Sequence, residues 1–216
     1  MEELELNRIN ANSPYIVELD FSTGLFKFVS DFGVSFSVAF EKDELLQSGE
    51  SYQFALTNYE GTKSPRDSKV RETVMCIVDE FFRKNQAALL YICETGDGMQ
   101  KMRSRLFSYW FSVYAENDDF LFLPQVVYDE EENENYAALI IRRDNPLFND
   151  LVSEFTNTIT LLNASQINSA ALLPLFWCHE EWVSLSVIKV FLSLYPLFHA
   201  YFLLISEKSS NFARLF

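Results

Sequence analysis

The chain alternates between two hydrophobic periods. Val34, Phe36, Val38 and Phe40 fall on one side of a pleat, with Ser35, Ser37 and Ala39 on the other. That period of two predicts a half-buried antiparallel strand. Leu25 to Ser30, with Phe26 and Phe28 on one face, repeats it, and so does Ser51 to Asn58 through Tyr52, Phe54 and Leu56. A short strand over Tyr15 to Asp20 precedes them, after a polar N-terminal stretch, residues 1–13, expected to fray. Ser22-Thr23-Gly24 and Asp31-Phe32-Gly33 mark tight turns between them. Four short strands so punctuated read as an antiparallel meander.

The period then lengthens. Val70, Val74, Ile77, Val78, Phe81 and Phe82 recur at helical spacing, with Asp67 or Ser68 as cap and an end near Asn85. Ala87 to Cys93 is continuously apolar, as a strand buried on both faces must be. Met99 to Tyr114 predicts a second helix with Met102, Leu106, Trp110 and Val113 on one side. Phe120 to Tyr128, interrupted at Pro124, and Tyr136 to Arg142 form a hairpin around the acidic turn Asp129 to Glu134. A third helix opens at Asn145-Pro146 and runs through Phe148, Leu151, Val152, Phe155 and Ile159. The order predicts an α+β domain over residues 1–162: a mostly antiparallel sheet, the four-strand meander plus later strands, with about three helices on one face.

Composition changes near Asn163. Residues 163–216 lack Gly and Asp and hold both histidines, His179 and His199. Val183 to Ser206 is apolar around the whole helical circumference and long enough to cross a bilayer of about 30 Å. Lys189, Pro196 and His199 stand against spanning. Three readings of this apolar helical tail stay open: helices packed on the core, a C-terminal membrane anchor, or a non-native extension with no selected fold.

Charge narrows the partner classes. The chain carries 17 Lys and Arg against 31 Asp and Glu, a net charge of −14. The tail sums to zero, so the whole excess sits in residues 1–162. Such a field repels phosphate backbones and disfavours nucleic acid. Cys76, Cys93 and Cys178 form no CxxC and no metal spacing, which fits a reducing, cytoplasmic compartment. The start, Met1-Glu2-Glu3-Leu4-Glu5, has no apolar run of a secretory signal.

Leu89-Leu-Tyr-Ile-Cys-Glu-Thr-Gly-Asp-Gly-Met-Gln100, followed by Arg103-Ser-Arg-Leu-Phe-Ser-Tyr-Trp-Phe111, resembles an uncharacterised bacterial family, domain of unknown function 6169. Arg143 to Pro146, Ser13-Pro14-Tyr15 and the Asp31-x-Gly33 turn are similar to further family elements. The resemblance spans roughly residues 13–160. Glu94 and Met99 depart from it, standing where the family pattern has Asp and Arg. It implies no activity, substrate or cofactor.

The candidate site lies at the Gly96-Asp97-Gly98 turn, between a buried strand and a helix start, where main-chain N–H groups can hold an anion. Gln100, Lys101, Arg103 and Arg105 follow it, and Arg142 and Arg143 end another strand. If those two strands are neighbours, five cations gather at one sheet end. The plainer alternative is a glycine turn, a capping Asp97 and arginines paired with local acids. Residues 1–162 contain no histidine, so no Ser-His-Asp or Cys-His arrangement forms within them. Asp118, Asp119 and Glu94 are weak candidates for Mg²⁺, and Asp129 to Glu134 lacks the spacing and glycine of a calcium loop. Cys178, His179 and Glu180 have no second ligand cluster. No metal and no cofactor is expected.

These observations lead to a non-enzymatic module that binds an unknown protein partner or regulates it, in a bacterial accessory system such as a toxin–antitoxin or defence pair. One alternative is an enzyme holding a nucleotide or phosphorylated ligand at the Gly96-Asp97-Gly98 motif. Another is an accessory protein anchored in the membrane through Val183 to Ser206.

Overall fold

All the period-two segments join one seven-stranded sheet in the computed structural model, which describes residues 1–58, 65–93, 100–114, 119–129 and 133–172. The side chains of residue 114 and of residues 165–172 are outside that description. The elements in chain order are α1 (Leu6–Asn12), β1 (Glu18–Asp20), β2 (Leu25–Val29), β3 (Ser35–Lys42), β4 (Ser51–Asn58), α2 (Ser68–Lys84), β5 (Ala88–Cys93), α3 (Gln100–Tyr114), β6 (Phe120–Tyr128), β7 (Glu134–Arg142) and α4 (Phe148–Leu172). Across the sheet the strands run β1-β2-β3-β4-β5-β7-β6. Every neighbouring pair is antiparallel except β4 with β5. The class is therefore α+β, with a mostly antiparallel sheet and four helices among the described residues.

The meander forms as its pattern requires. Gly24 and Gly33 sit at φ of 72° and 75°, the left-handed region that a side chain resists. Crossing from β4 to a parallel neighbour needs a helix, and α2 supplies it. Asp67 caps α2 by accepting from Lys69 N at 2.9 Å. At the other end Asn85 Nδ2 donates to Phe81 O at 2.9 Å.

Successive residues of β5 divide between two cores. Leu89, Tyr91 and Cys93 face the larger one, with Phe36, Phe54, Leu56 and the inner sides of α1, α2 and α3. Ala88 and Leu90 face a smaller one, with Leu139, Ile141 and Leu151, Phe155 and Ile159 of α4. This corrects the expectation of all helices on one face. The cause is that β7 also buries both of its faces, so Leu139 and Ile141 need cover, which α4 provides together with Leu46 of the β3–β4 connection. The far face of β2 to β4 carries half-buried Lys27, Gln53 and Thr57, polar side chains that need no such helix.

The N-terminus also differs from expectation: residues 6–12 are helical rather than frayed. Leu4 and Ile9 are buried in the larger core. Glu5 N donates to Glu80 Oε1 at 3.0 Å, and Glu2 N to Asn85 Oδ1 at 2.8 Å. Asn10 and Val17 exchange two bonds of 2.9 and 2.7 Å. The first strand is correspondingly shorter than Tyr15 to Asp20. Tyr15 instead donates its hydroxyl to Asp67 Oδ2 at 2.6 Å.

Strand β6 is continuous through Pro124, which pairs with Ala138. It lies at the sheet edge, where a missing N–H costs no ladder bond. Helix α4 passes through the expected boundary at residue 162, and Asn163 ties it to β6 by bonds to Tyr128 N and Val126 O of 3.1 and 2.9 Å. Among the described residues no helix is long and apolar enough to cross a membrane. Val183 to Ser206, with the three readings of the tail, lies outside the described residues.

Candidate functional site

Strands β4 and β5 form a fork. Their parallel ladder runs from Ser51↔Ala88 to Phe54↔Tyr91 and stops there. Beyond it β4 stays with β3 as far as Asn58↔Phe36, while β5 stays with β7 as far as Cys93↔Tyr136. The two carboxyl ends thus follow different neighbours. Both helices that succeed these strands, α2 and α3, start at this end of the sheet. Crevices at strand carboxyl ends, where connections diverge, are the usual ligand positions of open sheets with crossovers.

The α3 side of the fork buries polar groups. Arg103 is fully buried, a rare position for a cation that stays charged at any working pH. Tyr91 and Cys93 are buried beside it. The Tyr91 ring stacks on Phe107 with centroids 4.0 Å apart. Burial drives its hydroxyl well above the usual tyrosine range; Cys93 adds to the rise and Arg103 opposes it. Burial lifts the Cys93 thiol to about 11, against the opposing pull of Tyr91 and Arg103. The buried Tyr91 hydroxyl lies against the Cys93 thiol, and Gln100 Oε1 is buried without a hydrogen-bond partner. Such an atom normally finds a partner or a ligand.

Charged groups rim the same end. Lys101 pairs with Glu134 at 3.2 Å, and Glu134 also accepts from the Tyr136 hydroxyl. Gln100 Nε2 donates to Glu134 O at 3.3 Å. Arg105 is exposed one turn along α3, near enough to Lys101 to repel it. Arg66 and Lys69 lie exposed at the start of α2, with Lys69 paired to Asp31 at 2.6 Å.

The five-cation cluster does not form. β5 and β7 are neighbours, but antiparallel, so the end of β7 that carries Arg142 and Arg143 lies away from the fork. Arg142 is opposite Phe120 in the β6 register and holds Asp144 by two bonds of 2.8 and 2.6 Å. Arg143 N donates to Asp119 O at 2.9 Å. Gln100, Lys101, Arg103 and Arg105 remain together. Gly96, Asp97, Gly98, Glu94, Met99 and Asp118 lie outside the described residues. Asp129 accepts from Asn133 N at 2.8 Å, closing the β6–β7 turn. Among the described residues no three His, Cys, Asp or Glu side chains cluster as metal ligands would.

Two features had no counterpart in the sequence reading. One is the buried hydroxyl of Tyr91, a residue that belongs to an apolar run and to the stretch carrying the resemblance, with no site role attached to either. Its signal was a tyrosine where Leu or Ile would fill the core without a polar atom. The other is a cleft of about 590 Å³ between α1, α2 and α3, floored by Met75, Trp110 and Phe120. Its lining comes from segments too distant in sequence to be associated by pattern.

Residues 66–157 match the model of a family of unknown function, DUF6169. The match starts just before α2 and ends within α4, so it takes in β5, α3 and the β6–β7 hairpin with Tyr91, Gln100 and Arg103. No curated protein and no solved structure matches the chain.

Proposed function

We propose that the chain binds a phosphorylated ligand with an extended, amide-bearing arm, the chemistry of coenzyme A, in the fork between β4 and β5. The observation that carries this reading is the ladder that stops at Phe54↔Tyr91 while each strand keeps its other neighbour. An arm with amides in line satisfies strand edges as a peptide strand does. The slot is closed at its root by the remaining ladder, which suits a ligand with a free end better than a passing polypeptide. At this end of the sheet, exposed Arg66 and Arg105 and two helix starts favour phosphate on an otherwise acidic chain. Tyr91 and Cys93 stay protonated at neutral pH, so the fork offers a hydroxyl donor and no thiolate nucleophile. The reading is therefore of a binding site, with no catalytic step assigned.

Isothermal titration of the full chain with coenzyme A tests it. Saturable binding is expected, weakened about tenfold by Arg105→Glu, the equivalent of about 1.4 kcal/mol. Tyr91→Phe is expected to weaken it by less, with the fold unchanged. Absence of saturation at millimolar ligand, or equal binding by the Arg105 variant, overturns the reading.

A second reading, a protein partner, rests on a separate patch. Ile16 and Phe32 are 69% and 57% exposed beside exposed Val29, at the β1 edge of the sheet. Clustered exposed apolar side chains mark interaction surfaces. A photoreactive residue in place of Phe32 should crosslink one cellular protein, and Ile16→Asp should abolish the adduct. A crosslinking pattern that Ile16→Asp leaves unaltered would count against it.

A further inference from the structure

The two edges of the sheet differ in length. β1 offers three residues and β6 offers nine, Phe120–Tyr128. A long edge strand is a template for pairing with another chain. None of the nine side chains of β6 is charged. The direction of its main-chain groups follows from their partners. Asp119 O accepts from Arg143 N at 2.9 Å, and Asp129 N donates to Asn133 O at 3.2 Å, so odd-numbered residues bond toward the β7 side. Tyr128 N donates to Asn163 Oδ1 at 3.1 Å, and Val126 O accepts from Asn163 Nδ2 at 2.9 Å. Even-numbered residues therefore turn outward. The Asn163 carboxamide bonds this edge as one peptide unit of an added strand would.

We infer that Asn163 is an edge guard: with Pro124 it keeps β6 from pairing with the same strand of a second copy of this chain. Two identical strands pair antiparallel about a two-fold axis. With even-numbered residues outward, the arrangement of greatest overlap centres on Pro124. It sets Pro124 opposite Pro124 and Phe122 opposite Val126. Each obstacle falls on that arrangement. Pro124 brings no N–H to the central pair, where two bonds would otherwise form. Asn163 already holds Val126 O and Tyr128 N, which the neighbouring pairs require. At both ends Asp119 would face Asp129 of the second copy, like charges in opposition. Asn163 stands outside the strand, on the helix that covers the smaller core. Docking α4 and closing the edge are thus one event.

Disulfide trapping in the full chain tests this. Pro124→Cys restores the missing N–H and puts a thiol on the axis, where paired Cα atoms lie about 5.5 Å apart, within disulfide reach. Under mild oxidation, peptide mapping follows the bond that joins the introduced thiols of two copies. Adding Asn163→Ala is expected to speed that bond about tenfold, the scale of two hydrogen bonds released. A triple variant, Pro124→Val, Val126→Cys and Asn163→Ala, sets the introduced thiols about 14 Å apart along the paired strands and should stay slow. Urea unfolding checks that each variant is folded. Asn163→Ser, a milder change, gives the same comparison where the alanine variant does not fold. Equal rates with and without Asn163, or equal rates at the two thiol positions, overturn the inference. Neither result bears on coenzyme A in the fork, which is titrated separately.

Discussion

Phe81→Ala is expected to destabilise the protein by about 4 kcal/mol, within the range of about 3–5 kcal/mol for deleting a fully buried phenylalanine. Phe81 has no exposed surface and joins the crossover helix to two strands of the meander. Its ring stacks on Phe40 with centroids 4.6 Å apart and meets Tyr52 and Phe82 edge-on at 5.5 and 5.3 Å. Strands and helix on all these sides are fixed by their own hydrogen bonds, so the vacated space cannot collapse cheaply. Thermal unfolding should fall by about 10 °C, at roughly 2–4 °C per kcal/mol for a chain of this size. Phe21→Ala is the control. Phe21 is 82% exposed, and its loss should change stability by no more than about 0.5 kcal/mol. Similar midpoints for the two variants in urea would show that the aromatic cluster is not what holds the larger core.

Glu80→Gln is expected to cost about 2–3 kcal/mol near neutral pH, the scale of hydrogen bonds to a charged group. Only 1% of this side chain is exposed, and it gathers four nitrogen atoms from three residues. Arg83 donates two bonds of 2.7 Å, Glu5 N donates at 3.0 Å, and Arg8 lies at 3.3 Å. Hydrogen bonding from Arg83 holds the Glu80 carboxyl below its usual range, against the opposing effect of burial. A depressed acid stabilises the fold above the unfolded value and loses that contribution as pH falls through the folded one. The difference between wild type and variant should therefore shrink on going from about pH 7 to about pH 3, past the ordinary glutamate value of about 4.3. Urea unfolding at both pH values measures it, and a difference independent of pH would refute the role of the charge. Amide exchange in residues 6–12 should quicken in the variant, because Glu80 is what receives Glu5 N and Arg8 from the N-terminal segment.

The sequence pattern was informative where burial follows a local period. β3, β4, α2 and β5 lie close to where alternation, helical spacing and a continuous apolar run put them. Asp67 caps α2 as its position suggests. What was not legible is pairing. Whether β6 or β7 lies beside β5 depends on how a whole hairpin docks, and no local period encodes that. The antiparallel docking of β7 is what carries Arg142 and Arg143 away from Arg103. The same choice buries both faces of β7 and calls α4 to the opposite side. α1 was missed because its large apolar positions, Leu6 and Ile9, with Leu4 just before it, are too few for a periodic signal. The partner that fixes it, Glu80, is not one of the periodic apolar positions of α2. At the fork, Gln100 and Arg103 were singled out from the strand–turn–helix pattern, whereas the break in the ladder beside them exists only in three dimensions.

Strand β5 joins neither of its neighbours in the sheet through a hairpin. It reaches β4 only across the helical crossover and β7 only across α3 and β6. The β1–β2, β2–β3, β3–β4 and β6–β7 contacts, by contrast, are antiparallel pairs that close short loops. The entropy of loop closure is thus concentrated in placing one six-residue strand. On a chain growing from the ribosome, residues 88–93 emerge with one of their two edges lacking a mate until the last strand of the hairpin has been made. That interval is when the most apolar strand of the domain is open to pairing with another nascent chain.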